Sequence, residues 1–328
     1  MRTGDGDVIL KCGICGNHED NVIYNVLEMM FGTREQFRYF QCSRCKCLQI
    51  SESPRDTAKY YPQNYYSFSG DPREKYIHPV EKALRKLSDY YTVFDRGLLG
   101  MFIGRIFSNK KLKGLSRGKL TGNSRILDVG CGTGARLYAL REIGFKNLLG
   151  IDPYLQKDIL YENGLRILKQ SVDDISGEWD LIMYHHSFEH ISDPLTELRK
   201  VGKLLHRQGV CLLRVPTVSS YAWEHYREHW VQIDAPRHYY LHSIESVTIL
   251  AEAAGFCLQD VLYDSSVDQF RASELYKQGI PFFPSDPAVR ERAGSLFSKQ
   301  QIRMWKKKAG QLNKAKRGDQ AAFFLIKK

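Results

Sequence analysis

The stretch Arg125-Ile126-Leu127-Asp128-Val129-Gly130-Cys131-Gly132-Thr133-Gly134 decides the architecture of this chain. An apolar run of strand length ends in an acid and three glycines at alternate positions, and a helical pattern begins at Ala135. Glycines at this spacing let the backbone turn sharply and come close to a ligand. The acid speaks to the ligand's charge: a carboxylate at the mouth of the turn opposes a phosphate and favours an amine or another cationic centre. Gly130, Gly132 and Ala135 also satisfy the dinucleotide spacing G-x-G-x-x-G/A, with an acid, Asp152, at the end of the next strand. Asp128 and the third close glycine, Gly134, tilt the reading away from a pyrophosphate.

Outward from this turn the chain alternates strand and helix. Strands are expected at 125–129, 148–151, 166–168, 180–184, 210–215, 258–263 and 321–326, and helices at 135–143 and 154–162, the latter closed by Gly164. A further helix is capped by Ser192 or Asp193, has Pro194 in its first turn, and carries Leu195, Leu198, Val201, Leu204 and Leu205 on one face. Another starts at Ser243 and stops at Gly255. Such alternation predicts an α/β fold, a doubly wound sheet with helices on both faces.

The motifs and their order resemble those of class I S-adenosylmethionine-dependent methyltransferases. Residues 128–134 resemble the family's first motif and Ile151-Asp152 its second. Ser187-Phe188-Glu189-His190-Ile191-Ser192-Asp193-Pro194 is similar to its x-x-x-E-H-x-x-D-P segment, and 204–216 to its helix–turn–strand, without the usual proline. The resemblance implies a seven-stranded Rossmann-like sheet in the order 3-2-1-4-5-7-6 with the last strand antiparallel, and therefore an insertion at about 264–319. It implies S-adenosylmethionine as cofactor. Asp128, Gly130, Cys131, Gly132, Gly134 and His185 would lie at its methionine end, Asp152 at its ribose, and Ser171, Val172 and Asp173 at its adenine.

Cys12-x-x-Cys15 and Cys42-x-x-Cys45 form two knuckles 26 residues apart. Four thiolates suit a tetrahedral zinc ion, and a site with no open position is structural rather than catalytic. Cys47 competes with Cys45 for the fourth place, and His18 is a lesser candidate expected in solvent. Residues 1–55 thus read as a zinc-ribbon-like module, 56–122 as an aromatic, helical and basic connector, and 123–328 as the methyltransferase domain. The ribbon, the tyrosines at 60, 61, 65 and 66, and the W-x-x-x-D-x-P-x-H run from Trp230 to His238 resemble methyltransferases of bacterial cell-surface polysaccharide and sugar biosynthesis. The aromatics at 60–68 read equally as a lid over a sugar or as an interdomain contact.

Methyl transfer to oxygen or carbon requires removal of a proton, and histidine is the natural base near neutral pH. The segment after the fifth strand must pass over the cofactor side of the sheet. It carries His229, Asp234 and His238, of which His238 is the favoured base and Asp234 its orienting acid. Glu189-His190 is assigned a structural role under the cofactor.

The 328 residues carry a formal charge of +11, with basic clusters at 101–124 and 303–317. These read as solvated faces, or as binding sites for a polyanion. Met1 to Asp7 is polar and glycine-rich, and the longest apolar run, 98–107, is about half the ~20 residues a membrane span needs. A cytoplasmic protein is expected, with Cys131, Cys211 and Cys257 as buried thiols. The helix after Pro79, with Val80, Ala83, Leu84, Leu87, Tyr91 and Phe94 on one side, is expected to pack on the core; resting on an anionic membrane is the other account. The acceptor is expected to be a small molecule, a nucleotide- or lipid-linked sugar. An RNA acceptor held by ribbon and basic patches, and a non-catalytic cofactor-binding scaffold, are the alternatives.

Overall fold

The computed structural model describes residues 10–54, 56, 58–61, 68, 70–104, 106–107, 109 and 112–328. Tyr65, Tyr66, Arg105, Lys110 and Lys111 lie outside the described residues. The chain begins with three short antiparallel strands, β1 (Val22–Leu27), β2 (Gln36–Gln41) and β3 (Leu48–Ile50), followed by helices α1 (Pro79–Phe94) and α2 (Leu98–Ile103). The alternating region holds β4 (Arg125–Val129), α3 (Ala135–Glu142), β5 (Asn147–Ile151), β6 (Ile159–Leu160), β7 (Arg166–Leu168) and β8 (Trp179–His185). It continues through α4 (Pro194–Leu204), β9 (Leu205–Pro216), α5 (Tyr221–Tyr226), β10 (Tyr240–Leu241), α6 (Ile244–Ala253) and β11 (Phe256–Tyr263). Helices α7 (Asp268–Lys277), α8 (Pro287–Ser295) and α9 (Lys299–Lys314) precede the last strand, β12 (Gln320–Lys327).

The main sheet runs β11-β12-β9-β8-β4-β5-β7-β6. The five strands from β9 to β7 are parallel, and β12 is antiparallel to both of its neighbours. Its strands are apolar almost throughout because both faces are covered. Alternate residues feed two cores. Leu127, Ile182, Tyr184, Leu213 and Phe323 point to the face packed by α4 and α6. Ile126, Leu181, Met183, Leu212 and Phe324 point to the face packed by α3 and α1. The α4 and α6 termini follow the sequence signals: Asp193 accepts from the Thr196 amide at 3.1 Å, and Ser243 from that of Ser246 at 2.9 Å.

The expected count of seven strands is corrected to eight, and the expected helix at 154–162 is absent. In its place β6 pairs antiparallel with β7 across a tight turn in which the Tyr161 amide donates to the Leu165 carbonyl. Asn163-Gly164 makes that turn, with Gly164 at a left-handed φ of 78°. An asparagine–glycine pair is a hairpin signal, and here it outweighs apolar spacing that resembled a helix. Cys211 is buried as expected and Cys131 half-buried, whereas Cys257 is exposed, because β11 is an edge strand whose alternate side chains face solvent.

The cysteine module does not end its sheet within itself. Its fourth strand is β10, paired antiparallel with β3. A third core joins Val26, Tyr39 and Leu48 of the module to Trp223, Trp230 and Ile233 and to Phe270 and Tyr276 of the 264–319 insertion. The amides of Phe282 and Phe283 donate to the carbonyls of Met29 and Met30, which ties the insertion to the module. On α1, Leu84, Tyr91 and Phe94 are half-buried, but Val80, Ala83 and Leu87 face solvent, so the expected core-packing face is only partly covered.

Candidate functional site

Strand β4 sits where the chain changes direction across the sheet, with β5 on one side and β8 on the other. Open α/β sheets place their ligand crevice at this point, beyond the carboxyl ends of the strands. The glycine turn lies there. Gly130 (φ 69°) abuts Ser187, where a Cβ would stand 2.4 Å from that residue's own Cβ. Gly134 (φ 74°) abuts Ile167, where a Cβ would stand 2.3 Å from Cδ1. Only glycine fits either position. The amide of Gly132 donates to Asp152 Oδ2 and that of Tyr154 to Asp152 Oδ1, both at 3.0 Å, so the acid that ends β5 braces the turn.

Asp128 does not stand at the mouth of the turn. It is fully buried beneath it, and its Oδ2 accepts from Arg136 Nη1, on α3, at 2.6 Å. The cation that the sequence reading assigned to a ligand is supplied by the chain itself. Burial lowers the Arg136 pKa and the Asp128 charge opposes that fall. Ser171, Val172 and Asp173 stand after β7: Ser171 caps a short 3-10 turn, Val172 is in the core and exposed Asp173 pairs with Lys200 at 2.7 Å. These three residues do not face the cavity that holds the turn.

That cavity has a volume of about 570 Å³. Gly130, Cys131 and Gly132 form one wall, His185 and His186 the floor after β8, and Gly70 to Pro72, Glu74 and Lys75 part of the rim. The wall opposite the turn carries Gln232, Asp234 and His238. The structure thus brings His238 and Asp234 to the glycine turn. It does not bring His229, which is exposed on the 3-10 turn Arg227–His229 and faces away from the cavity.

Hydrogen bonding sets the state of each imidazole. His238 Nδ1 lies 2.8 Å from the Gln232 carbonyl, which can only accept, so Nδ1 carries a proton and Nε2 is the nitrogen left facing the carboxylates. That Nε2 stands 3.7 Å from Asp234 Oδ2 and 3.8 Å from Glu189 Oε1. Asp234 therefore flanks the basic nitrogen, and the Gln232 carbonyl, not Asp234, orients the ring. His186 Nε2 accepts from Arg214 Nη1 at 2.7 Å, which leaves its Nδ1–H facing Glu189 Oε1 at 3.3 Å. Glu189 is fully buried among these rings. Burial raises its pKa, but His186, His238 and His190 outweigh it and hold the carboxyl at about 2. Glu189 is thus a buried carboxylate beside the His238 ring. Two of its neighbours, His186 and His190, come from the same stretch of chain, and the third, His238, from the segment after β9. His190 Nδ1 donates to the Arg237 carbonyl at 2.8 Å, and Tyr61 Oη lies 3.1 Å from the same nitrogen. Glu189, His190 and His238 each offer a donor atom within 4.8 Å of the others.

Arg237 organises this wall. Its Nε donates to Asp234 Oδ1 at 2.9 Å, its Nη2 to Glu28 Oε1 at 2.8 Å and its Nη1 to the Tyr60 carbonyl at 3.1 Å, all buried. Burial opposes its charge, and the two carboxylates more than restore it, raising its pKa. Nothing in the sequence pointed to Glu28, which lies in the cysteine module.

In that module Cys12, Cys15, Cys42 and Cys45 bring their sulfurs within 4.8 Å of one another. Cys12 Sγ is 3.5 Å from Cys45 Sγ, and Cys15 Sγ is 3.5 Å from Cys42 Sγ. The Gly16 amide donates to the Cys12 carbonyl and the Lys46 amide to that of Cys42, so the two knuckles are copies of one turn. Cys47 stands outside the group, with its thiol 3.4 Å from the Leu241 carbonyl. His18 is exposed.

Residues 99–261 match the family described as methyltransferase domain. With the sheet topology and the glycine turn, this makes the chain an S-adenosylmethionine-dependent methyltransferase with the class I fold. Among solved structures it is similar to the mycolic acid cyclopropane synthase CmaA1 complexed with SAH and CTAB. That similarity is at 19% identity over 84% of this chain and 99% of that one, with a TM-score of 0.47. It is similar to the cyclopropane synthase MmaA2 from Mycobacterium tuberculosis at 18% identity, over 83% and 99% of the two chains, with a TM-score of 0.46. A SAM-dependent methyltransferase from Archaeoglobus fulgidus matches at 18% identity over 70% and 99%, with a TM-score of 0.38. No curated protein matches the sequence.

Two outcomes follow from this geometry. Arg237→Leu strands Asp234 and Glu28 without their cation and is expected to cost about 3–5 kcal/mol of stability, read by urea denaturation. His242 is buried, and burial pulls its pKa from 6.5 to about 4. The unfolded chain then binds this proton at a higher pH than the folded one. The contribution is present above pH 6.5 and is lost as pH falls towards 4. The stability difference between wild type and His242→Gln should change by about 3 kcal/mol across that window. A difference curve independent of pH would refute the assignment.

Proposed function

We propose that the enzyme methylates a small-molecule acceptor, a nucleotide- or lipid-linked sugar, in the cytoplasm, with His238 as the proton acceptor. The observation that carries this reading is one cavity with the glycine turn on one side and an imidazole whose Nε2 is set between two carboxylates on the other. S-adenosylmethionine, when bound, supplies the electrophilic methyl group. The close approach allowed at Gly130, Cys131, Gly132 and Gly134 suits its methionine portion, with His185 beside it. Asp152 has lone pairs left for ribose hydroxyls after bracing the turn. Asp128 supports the turn through Arg136.

For the acceptor, His238 Nε2 takes the hydroxyl or carbon-bound proton. The Gln232 carbonyl keeps the ring in the required tautomer, and Glu189 and Asp234 stabilise the imidazolium that forms. A cavity walled by protein on three sides also limits water, which strengthens those charge interactions. Arg237 keeps Asp234 ionised and in place.

The four-cysteine cluster fits a structural zinc ion. Thiolates 2.3 Å from a tetrahedral zinc stand about 3.8 Å apart, close to the separations here. Zinc would fix β3, and through it β10, a strand two residues from His238.

His238→Gln is expected to lower methyl transfer to sugar nucleotides by about 10²–10⁴-fold, read as release of demethylated cofactor, with calorimetric S-adenosylmethionine affinity within twofold of wild type. Undiminished turnover would remove His238 from the mechanism. Elemental analysis is expected to find one zinc per chain, absent in a Cys12→Ser/Cys42→Ser variant that also melts at a lower temperature. A metal-free wild type that melts normally would count against the ion.

A further inference from the structure

Helices α1 and α2 present to solvent what helices ordinarily bury. On α1 the exposed positions are Pro79, Val80, Ala83, Leu87 and Tyr90, a helical stripe that is apolar except for the tyrosine hydroxyl, while Ser88 and Asp89 are buried. The pattern continues in the next helix, where Leu98 is 76% exposed and Leu99 62%, and beyond it at Ile106, 81% exposed. The two helices are packed closely: at Gly100 a Cβ would stand 2.4 Å from the Leu87 carbonyl oxygen. The exposed apolar sets therefore lie on adjoining elements.

The charge of this region is as unusual as its polarity. Residues 75–119 hold eleven Lys and Arg against three Asp and Glu, which is +8 of the chain's +11. One of the three acids, Asp89, is buried and accepts from Tyr76 Oη at 3.0 Å. Arg96, Lys113 and Lys119 are exposed. An apolar stripe flanked by cations matches an interface that is apolar beneath and anionic at its surface. A second copy of the same face would bring like charges together, and a polyanion alone would leave the apolar stripe uncovered.

We propose that the α1–α2 face seats the enzyme on an anionic lipid surface. No helix of the described residues is long and apolar enough to cross a membrane, so the seat is peripheral. Gly70 to Pro72, Glu74 and Lys75 form part of the cavity rim, and the chain passes from them through Ile77, 75% exposed, into α1. The seat therefore adjoins the cavity mouth, and where the acceptor is lipid-linked it reaches His238 without leaving the bilayer. This last step rests on the methyl-transfer reading; the seat itself does not.

The test is sedimentation of the full-length protein with vesicles of phosphatidylcholine, with and without phosphatidylglycerol, at low and high salt. Binding is expected to the anionic vesicles, falling at least tenfold when salt is raised or phosphatidylglycerol omitted. The variant Leu98→Glu/Ile106→Glu should lose at least tenfold in vesicle binding while keeping wild-type affinity for S-adenosylmethionine, which shows that it is folded. No binding to anionic vesicles, or equal binding by the variant, overturns the proposal. So does a stable dimer in analytical ultracentrifugation that the same variant dissolves, which would make the face an interface between copies. Vesicle binding is read without substrate, so an inactive enzyme that still sediments would fault the acceptor assignment and leave the seat standing.

Discussion

One buried guanidinium holds the working parts of this enzyme together. Arg237 reaches Glu28 in the cysteine module, the Tyr60 carbonyl in the connector and Asp234 in the segment that faces the glycine turn. A buried charge is tolerated only when paired and fully hydrogen-bonded, and removing one partner leaves the others exposed to the full desolvation cost. The three segments must therefore be in place at once. His238, next in the chain, is set by that same closure, so the geometry of its imidazole is coupled to the folding of the module that holds Glu28, 209 residues from Arg237.

The same logic explains the turn at the end of β4. An acid before the glycines looked like a partner for a cationic ligand. The structure neutralises it internally with Arg136, placed one residue into α3, and assigns the bracing of the turn to Asp152. Ligand recognition at the turn then falls to backbone close approach rather than to a free charge. The charged chemistry is moved to the opposite wall, where two carboxylates and three imidazoles meet.

The cysteine module and the insertion act as a second layer over the cavity side. The module's sheet is completed by β10, and the insertion closes on Met29 and Met30. Helix α1 of the basic connector packs instead on the α3 side of the main sheet, and with α2 it leaves apolar side chains in solvent. Helix α1 buries Ser88 and Asp89 beside Val93 while Val80, Ala83 and Leu87 face solvent, a composition that becomes intelligible once its outer face has a lipid or other apolar partner.

Local patterns in the sequence settled much of the fold. Alternating apolar runs, the glycine spacing and the caps at Asp193 and Ser243 are short-range signals, and they predicted the parallel strands and the helices α3, α4 and α6; the antiparallel direction of the last strand was implied by the family resemblance. Paired C-x-x-C knuckles likewise predicted which four sulfurs meet, because each knuckle is a local turn. The Asn163-Gly164 pair is itself a hairpin signal, and the helix expected at 154–162 gives way to it. What only the tertiary structure decided is which charges meet: Asp128 with Arg136 beneath the glycine turn, Glu189 with His238 as well as with its chain neighbours His186 and His190, and Arg237 with Glu28. Sequence shows which groups are ionisable; which of them meet is set by long-range packing, and burial then makes each meeting obligatory because an unpaired charge in the interior costs more than the fold can supply.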